Sequence, residues 1–331
     1  MITVVSYRPE VAPDLLAIWH AAFGEQYPIM PALWEAITAG DPSFRDADAL
    51  VALHEGSPVG FLLAKRFRED FPGCERFQTV GYVTLLAVHP NQQRRGIASG
   101  LLREVERRFQ AEGVTTIVVG GSFHHVFPGI PVPLDPEAVA PPALRFFEAH
   151  GYARGKEVWD VRRNLAVAPE LPDLPPLPAG VVLRPTLPEE TSRMGEFLSR
   201  EFAGRWPRDV AHHLAQGGQA AHVFGLFVDG EPQGFALLHP PSSPGALRWA
   251  GFDPAIAALG PIGLGVSLRG KGLGLSLLVK ALSQLRDWGA KETVIDWTDL
   301  LDFYARCGFR PWLRYVLAQK ELSRAGASAH D

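Results

Sequence analysis

Cysteine is nearly absent from this chain. Only Cys74 and Cys307 occur in 331 residues, far apart and in no CxxC pair. That excludes a disulfide framework and argues against a thiolate zinc site, and a reducing, cytoplasmic setting is the expectation. Positive charge is not in excess: 32 Lys and Arg stand against 36 Asp and Glu, a net charge of -4. The basic footprint of a nucleic-acid binder is missing, so no nucleic-acid partner is expected. No apolar run reaches the length of a membrane span. The opening residues, MITVVSY, lack the basic region and apolar core of a secretory signal, and no membrane association is expected. What is plentiful is apolar side chain, 47% of residues against 21% charged. That balance folds, and the length suits two ordinary domains better than one.

Proline is unevenly spread. Residues 164–180 read NLAVAPELPDLPPLPAG, with prolines at 169, 172, 175, 176 and 178. Proline inside a helix removes a hydrogen bond and clashes with the preceding turn, so this stretch is expected to be an extended tether. It divides the chain into residues 1–163, a linker 164–180 and residues 181–331.

The two parts repeat one another. Each opens with Arg-Pro, at Arg8-Pro9 and Arg184-Pro185, followed by a helical apolar pattern. Each continues with a hairpin whose turn holds Gly and Pro, at 55–58 and 229–232. An apolar strand comes next, Tyr82 to Val88 or Ala257 to Val266, and then an amphipathic helix. The first helix carries Ala98, Leu101, Leu102, Val105 and Phe109 on one face; the second carries Leu273, Leu277, Leu278, Ala281, Leu282 and Leu285. A short strand, a short helix, a glycine and a final strand close each half. Arg8 to Arg184 and Gly96 to Gly272 are both 176 residues apart, a constant offset that points to duplication of one α/β unit. The first half has a longer, proline-rich loop around Ser122 to Pro142, and loops of that length are often functional or mobile.

Two segments between a strand and a helix carry the functional signal: Gln93-Arg94-Arg95-Gly96-Ile97-Ala98 and Arg269-Gly270-Lys271-Gly272-Leu273-Gly274. The first amides of a helix have no internal acceptor and bear partial positive charge. A pyrophosphate can take several of them at once. The basic side chains add charge nearby. Tight packing alone could also place Gly there, but the feature occurs twice at one offset.

Both segments resemble the Q/R-x-x-G-x-G/A signature of the GNAT superfamily of N-acetyltransferases, once per half and over nearly the whole chain. The short-helix segments Phe146-Phe147-Glu148-Ala149-His150-Gly151-Tyr152 and Phe303-Tyr304-Ala305-Arg306-Cys307-Gly308-Phe309 are similar to that family's next motif. The resemblance implies two tandem domains, each a mixed, centrally splayed β-sheet with helices on both faces. It implies acetyl-CoA as acyl donor, a small-molecule or peptide amine as acceptor, and no metal. The residues it assigns to the donor are Leu264, Gly265, Val266, Arg269, Gly270, Lys271, Gly272, Leu273, Gly274 and Leu275 in the second half. In the first half they are Leu86, Ala87, Val88, Gln93, Arg94, Arg95, Gly96, Ile97, Ala98 and Ser99. Gly263 and Gly265 suit a strand that a ligand approaches closely.

In this family a tyrosine on the last short helix often protonates the departing thiolate. Tyr304 holds that place in the second half, whereas Phe147, which cannot donate, holds it in the first. The second half is therefore expected to be catalytic and the first to bind or buttress. The family's asparagine seven residues before the tyrosine is replaced by Ala140 and Trp297, and neither central strand carries the family's glutamate base. Asp296 and His239 are candidate bases, although a structural or solvated polar role is the stronger reading of each. Trp206, Trp249 and Trp297 are candidates to line an acceptor pocket, with core packing the stronger default. The adjacent pairs His124-His125 and His212-His213 cannot share a helix face, so metal binding is not expected. Cys307 reads as a buried structural thiol. A non-catalytic acyl-CoA-binding sensor or scaffold is the alternative left open.

Overall fold

The repeat in the sequence is also a repeat of backbone geometry. A computed structural model describes residues 1–322 apart from 122, 124, 167–170 and 175. Ser122, His124, Pro169 and Pro175 thus lie outside the described residues. The chain forms two compact units: residues 1–70, 75–158 and 313 onward make the first, and 71–74 with 159–312 the second.

The first unit runs β1 (Ile2–Ser6), α1 (Ala12–Phe23), α2 (Pro31–Ile37), β2 (Leu50–His54), β3 (Ser57–Arg66), β4 (Val80–Val88), α3 (Ile97–Ala111), β5 (Thr116–Val119), β6 (Ile130–Val132), α4 (Pro142–Ala149) and the opening of β7 (Ala153–Asn164). Its sheet has the order β1-β2-β3-β4-β5 and then residues 313–321. All of these neighbours are antiparallel except β4 and β5. Successive strand residues point to opposite faces. Leu50, Ala52, Leu62 and Ala64 share a core with Leu101, Leu102, Val105 and Phe109 of α3. Phe61 points the other way, its ring 5.5 Å from that of Trp34 in α2. Each fully buried Leu, Val or Phe among them stabilises the unit by roughly 1.5–3 kcal/mol.

The second unit repeats this with β8 (Val181–Pro185), α5 (Thr191–Glu201), α6 (Arg205–Ala215), β9 (Val223–Val228), β10 (Glu231–His239), α7 (Leu247–Ala250), β11 (Ile256–Leu264), α8 (Leu273–Asp287), β12 (Glu292–Thr298), α9 (Leu301–Ala305) and the opening of β13 (Arg310–Glu321). Leu226, Ala236 and Leu238 pack with α8. Phe227, Phe235 and Leu237 pack on the opposite face with Phe197, Leu198 and Val210 of α5 and α6.

In each sheet the one parallel ladder is short. β4 pairs with β5 only from Val80 to Val83, and β11 with β12 only from Ile256 to Ala258. Beyond those points the C-terminal ends of β4 and β11 have no ladder partner on that side among the described residues. The central split implied by the family resemblance is therefore present twice.

Three sequence expectations need correction. The units do not follow the division at 1–163, 164–180 and 181–331. β5 pairs with residues 318–321 of β13, and β12 pairs with residues 159–164 of β7. Each sheet is thus closed by a strand from the other half of the sequence, since an alternating strand pattern does not say which ladder it joins. The described residues of the expected tether are not detached from the fold either. Leu171, Leu174 and Leu177, three apart, pack on the second core; the threefold period of extended proline-rich chain gives them one common edge. The long loop of the first unit is packed in its first part, where Phe123 stacks on Phe67 at 4.5 Å and Phe127 lies 5.9 Å from Trp19, whereas residues 133–139 are exposed.

Gly81 of β4 shows how tight the first core is. A Cβ there would stand 2.4 Å from the ring of Phe109. Gly81→Ala should lower the unfolding free energy by about 1–3 kcal/mol in a urea titration, the usual cost of overpacking. Adding Phe109→Leu should recover part of that loss.

Candidate functional site

Glycine with positive φ builds both strand-to-helix turns. Gly96 (φ 76°) and Gly272 (φ 77°) cap α3 and α8 in the left-handed region, where a side chain costs of order 1–3 kcal/mol. Two residues earlier, Gly270 (φ 75°) matches Arg94 (φ 59°). A Cβ on Gly96, Gly270 or Gly272 would meet nothing within 4 Å, so these positions face open space. Among the described residues, the amides of Arg95 to Ser99 and of Lys271 to Gly274 have no protein acceptor. Arg94, Arg95, Arg269 and Lys271 are exposed around them, and Ile97 and Leu273 anchor the helices inward. Each turn is a concave set of donors at a helix start, the arrangement that holds a phosphate.

The first residue of each turn has a role that the sequence reading missed. Gln93 Nε2 donates to the carbonyl of Val88 at 3.1 Å, and Arg269 Nε donates to that of Leu264 at 3.1 Å. Both side chains tie the turn to the end of its strand, which fixes the angle at which the amides face outward. Glutamine in one copy and arginine in the other make the same bond, each to a carbonyl five residues earlier.

The strand ends require a correction. Val88 matches Leu264, because each is the last residue of its strand. Leu86, Ala87 and Val88 therefore correspond to Ile262, Gly263 and Leu264, not to Leu264, Gly265 and Val266. Gly265 and Val266 have left the strand, and their amides are taken: Gly265 donates to the Gln233 carbonyl at 2.8 Å and Val266 to Glu201 Oε2 at 3.1 Å. That amide, followed by Arg200, holds the Glu201 carboxyl below its usual range. Gly263 also has a packing reason, since a Cβ there would fall 2.7 Å from Phe202 and 2.9 Å from Trp206. At the start of the helices, Ser99 Oγ bonds His150 Nε2 at 2.9 Å, whereas Ala98, Gly274 and Leu275 are partly buried.

Tyr304 on α9 is 5% exposed and lies edge-on to Phe303 and Phe309. Burial raises its pKa, and the charges of Asp296 and Asp299 raise it further, so the phenol keeps its proton. Phe147 of α4 is packed alike, edge-on to Phe146 and Tyr152. Trp249 belongs to the core with Ile256, Ala258 and Val294. Trp206 leans on Phe202, and Trp297 has φ 52° with the Arg205 guanidinium 5.4 Å from its ring. Cys307 is buried, its carbonyl accepts from Arg163 Nη1, and burial raises its thiol pKa.

His239 ends β10 with Nε2 3.3 Å from the Gly260 carbonyl. Its ring lies 5.2 Å from that of His213, whose Nε2 is 2.9 Å from His222 Nδ1. Burial holds the pKa of His213 down to about 3 and that of His239 down to about 4, and it also lowers that of His222. His239 is thus a neutral packing element at pH 7. Among the described residues, no group of three or more His, Cys, Asp or Glu side chains could hold a metal ion, and no helix is long and apolar enough to cross a membrane.

A profile of the Acetyltransferase (GNAT) family matches residues 13–125 and 191–309. A mycothiol acetyltransferase of Pseudarthrobacter chlorophenolicus is 27% identical over 241 residues, 69% of this chain and 66% of that protein. One from Salinispora arenicola is 30% identical over 249 residues, 71% of this chain and 72% of that protein. The chain thus spans about two thirds of the length of the curated relatives it matches. Among solved structures, the GCN5-related glucosamine N-acetyltransferase region of a fungal multidomain GH3 β-N-acetylglucosaminidase has a TM-score of 0.84 at 23% identity, covering 97% of this chain and 38% of that one. A tandem GNAT protein from the clavulanic acid biosynthesis pathway has a TM-score of 0.66 at 19% identity, covering 100% of both chains. These two likenesses are of fold.

The histidine cluster sets a pH dependence. Unfolded histidines titrate near 6.5, about, so below that pH the unfolded chain binds protons that the folded cluster refuses down to about 4 or 3. Stability should therefore fall as pH drops from 7 to 5. Carboxylates held near 2, such as Glu104 and Glu190, weaken the fold only at lower pH. Urea midpoints measured from pH 7 to 5 should decline, and His213→Gln should flatten the decline.

Proposed function

Because the chain belongs to the GNAT acetyltransferase family, we propose that it moves the acetyl group of acetyl-CoA to a primary amine of a small molecule or peptide, and that the second unit does the chemistry. The observation carrying this reading is the pair of strand-to-helix turns whose amides face open space beside a split sheet. The diphosphate of acetyl-CoA takes hydrogen bonds from the amides of Lys271 to Gly274, with the Lys271 side chain adding charge. The acyl-bearing arm lies along the unpaired edge at Ile262 to Leu264. Leu86 to Val88 and Gln93 to Ser99 offer the first unit the same fit. The relatives' name, mycothiol acetyltransferase, favours a small-molecule acceptor over a peptide.

Transfer needs an amine with a free lone pair, which attacks the thioester carbon; the N–C bond forms and the C–S bond breaks. The Tyr304 phenol, kept protonated by burial, gives its proton to the departing sulfur. Phe147 cannot do this. In the first unit the loop that leaves β5 packs Phe127 among Trp19, Tyr27 and Tyr315, so that unit binds or buttresses.

Tyr304→Phe should lower turnover by more than about tenfold, the scale of a lost general acid, and leave the acetyl-CoA dissociation constant nearly unchanged by isothermal titration. An unchanged rate removes Tyr304 from the mechanism. Gly272→Val should abolish acetyl-CoA binding in the second unit, because the β-branched residue cannot hold φ 77°. Acetyl-CoA binding without thiol release across a broad amine panel would instead support an acyl-CoA sensor or scaffold.

A further inference from the structure

Strand β11 supplies no carboxylate, and at Gly260, just past its last pairing with β12, it supplies no side chain. The acidic group nearest that gap comes from β12. Asp296 Oδ1 stands 3.7 Å from where a Cβ on Gly260 would be. We propose that Asp296 accepts the proton of the acceptor's ammonium group, and that Arg248, fixed by Asp160, is the positioning residue that aims it. The inference rests on the acetyl-transfer reading of this unit.

The local geometry gives the reason. The ladder between β12 and β7 loses register between Ile295 and Thr298, so Asp296 and Trp297 form a bulge. Trp297 completes it with φ 52°, a conformation that a bulky side chain keeps only when its surroundings hold it. Bulges re-aim side chains and recur beside active sites. Here the clamp is ionic. Trp297 N–H donates to Asp160 Oδ1 at 3.2 Å, Arg248 Nη2 donates to Asp160 Oδ2 at 2.7 Å, and Arg248 Nη1 donates to Asp296 Oδ2 at 3.0 Å. The side chain of Asp160 is 0% exposed and that of Arg248 8%, whereas that of Asp296 is 25% exposed. Asp296 is the member of the trio that a solute can reach. Arg248 holds Asp296 Oδ2, and Oδ1 lies on the side of Gly260. The charge of Asp296 reaches His239 of β10, hydrogen-bonded to the Gly260 carbonyl, and Tyr304 of α9; Asp299 also acts on Tyr304, and Arg205 of α6 lies over the ring of the neighbouring Trp297.

The step balances as follows. R–NH3+ gives one proton to the Asp296 carboxylate, and the freed lone pair forms the N–C bond. The C–S bond breaks and the sulfur takes the Tyr304 proton. The nitrogen sheds its surplus proton to restore the phenol as the amide forms, and Asp296 releases its own proton to water. One proton leaves per turnover.

The test compares wild type, Asp296→Asn, Arg248→Lys and Arg248→Met on whichever of glucosamine, L-cysteine ethyl ester and a short free-N-terminus peptide is acetylated fastest. Asp296→Asn should cut kcat/KM by about a hundredfold or more and remove the acidic limb of its pH profile, with acetyl-CoA affinity by titration calorimetry unchanged. Arg248→Met should move that limb up by about one pH unit, the effect of losing a neighbouring cation, and Arg248→Lys should restore most of the rate. Should Arg248→Met not fold, the asparagine variant decides alone. An Asp296→Asn rate within about threefold of wild type, or an intact acidic limb, overturns the proposal and leaves acetyl transfer standing. A wild type that acetylates none of the amines while binding acetyl-CoA defeats the functional reading itself, and this proposal with it.

Discussion

A helix entered through a left-handed glycine begins with amides that the chain itself cannot satisfy, and both units are organised around keeping those amides turned outward. A buried amide without a partner would cost more than 1 kcal/mol, about, so the donors must face solvent or a ligand. The hydrophobic stripe of α3 or α8 presses one side of the helix onto the sheet, which leaves its first turn at the sheet's margin. The side chain of Gln93 or Arg269 then ties the turn to the last strand carbonyl. The result is one rigid corner, made of strand end, 3-10 turn and helix start, reproduced at an offset of 176 residues.

The two copies differ where chemistry would occur and agree where binding would occur. Phe147 and Tyr304 occupy the same packed place on their helices, so a single hydroxyl separates them. That hydroxyl sits beside carboxylates in the second unit, where Asp296 and Asp299 help to keep it protonated. In the first unit the longer loop packs aromatic rings against α1 instead. Duplication followed by divergence of one cleft accounts for shared corners with unlike surroundings.

Much of this was legible in the sequence because it depends on local periodicity. The 3.6-residue stripes of α3 and α8, the hairpin turns and the paired Gly96 and Gly272 each follow from a short window of residues. What was not legible depends on partners distant in the chain. The closing strands exchange between the halves, and nothing in residues 153–164 or 310–321 names the ladder they join. The strand ends at Leu264, two residues before the apolar run through Gly265 and Val266 does. The amide bond of Gly265 to Gln233 and the Glu201 contact of its neighbour could not be read from that run. Leu171, Leu174 and Leu177 show the converse case: their threefold spacing is plain in the sequence, but the distant core they pack on is not.

The cluster of Asp160, Arg248 and Asp296 belongs to the same class of hidden information. Its members are separated by 88 and 48 residues, and no window of sequence holds two of them. Burying such charges seldom stabilises a fold, because desolvation offsets most of the attraction. A well-packed apolar trio would serve the core as well. The ionic trio instead fixes one backbone bulge and one carboxylate oxygen at the mouth of a split sheet, in the gap over a glycine. A charged arrangement that adds little stability and holds a side chain in one orientation is explained by what that side chain meets, and at this position it meets whatever enters between β11 and β12.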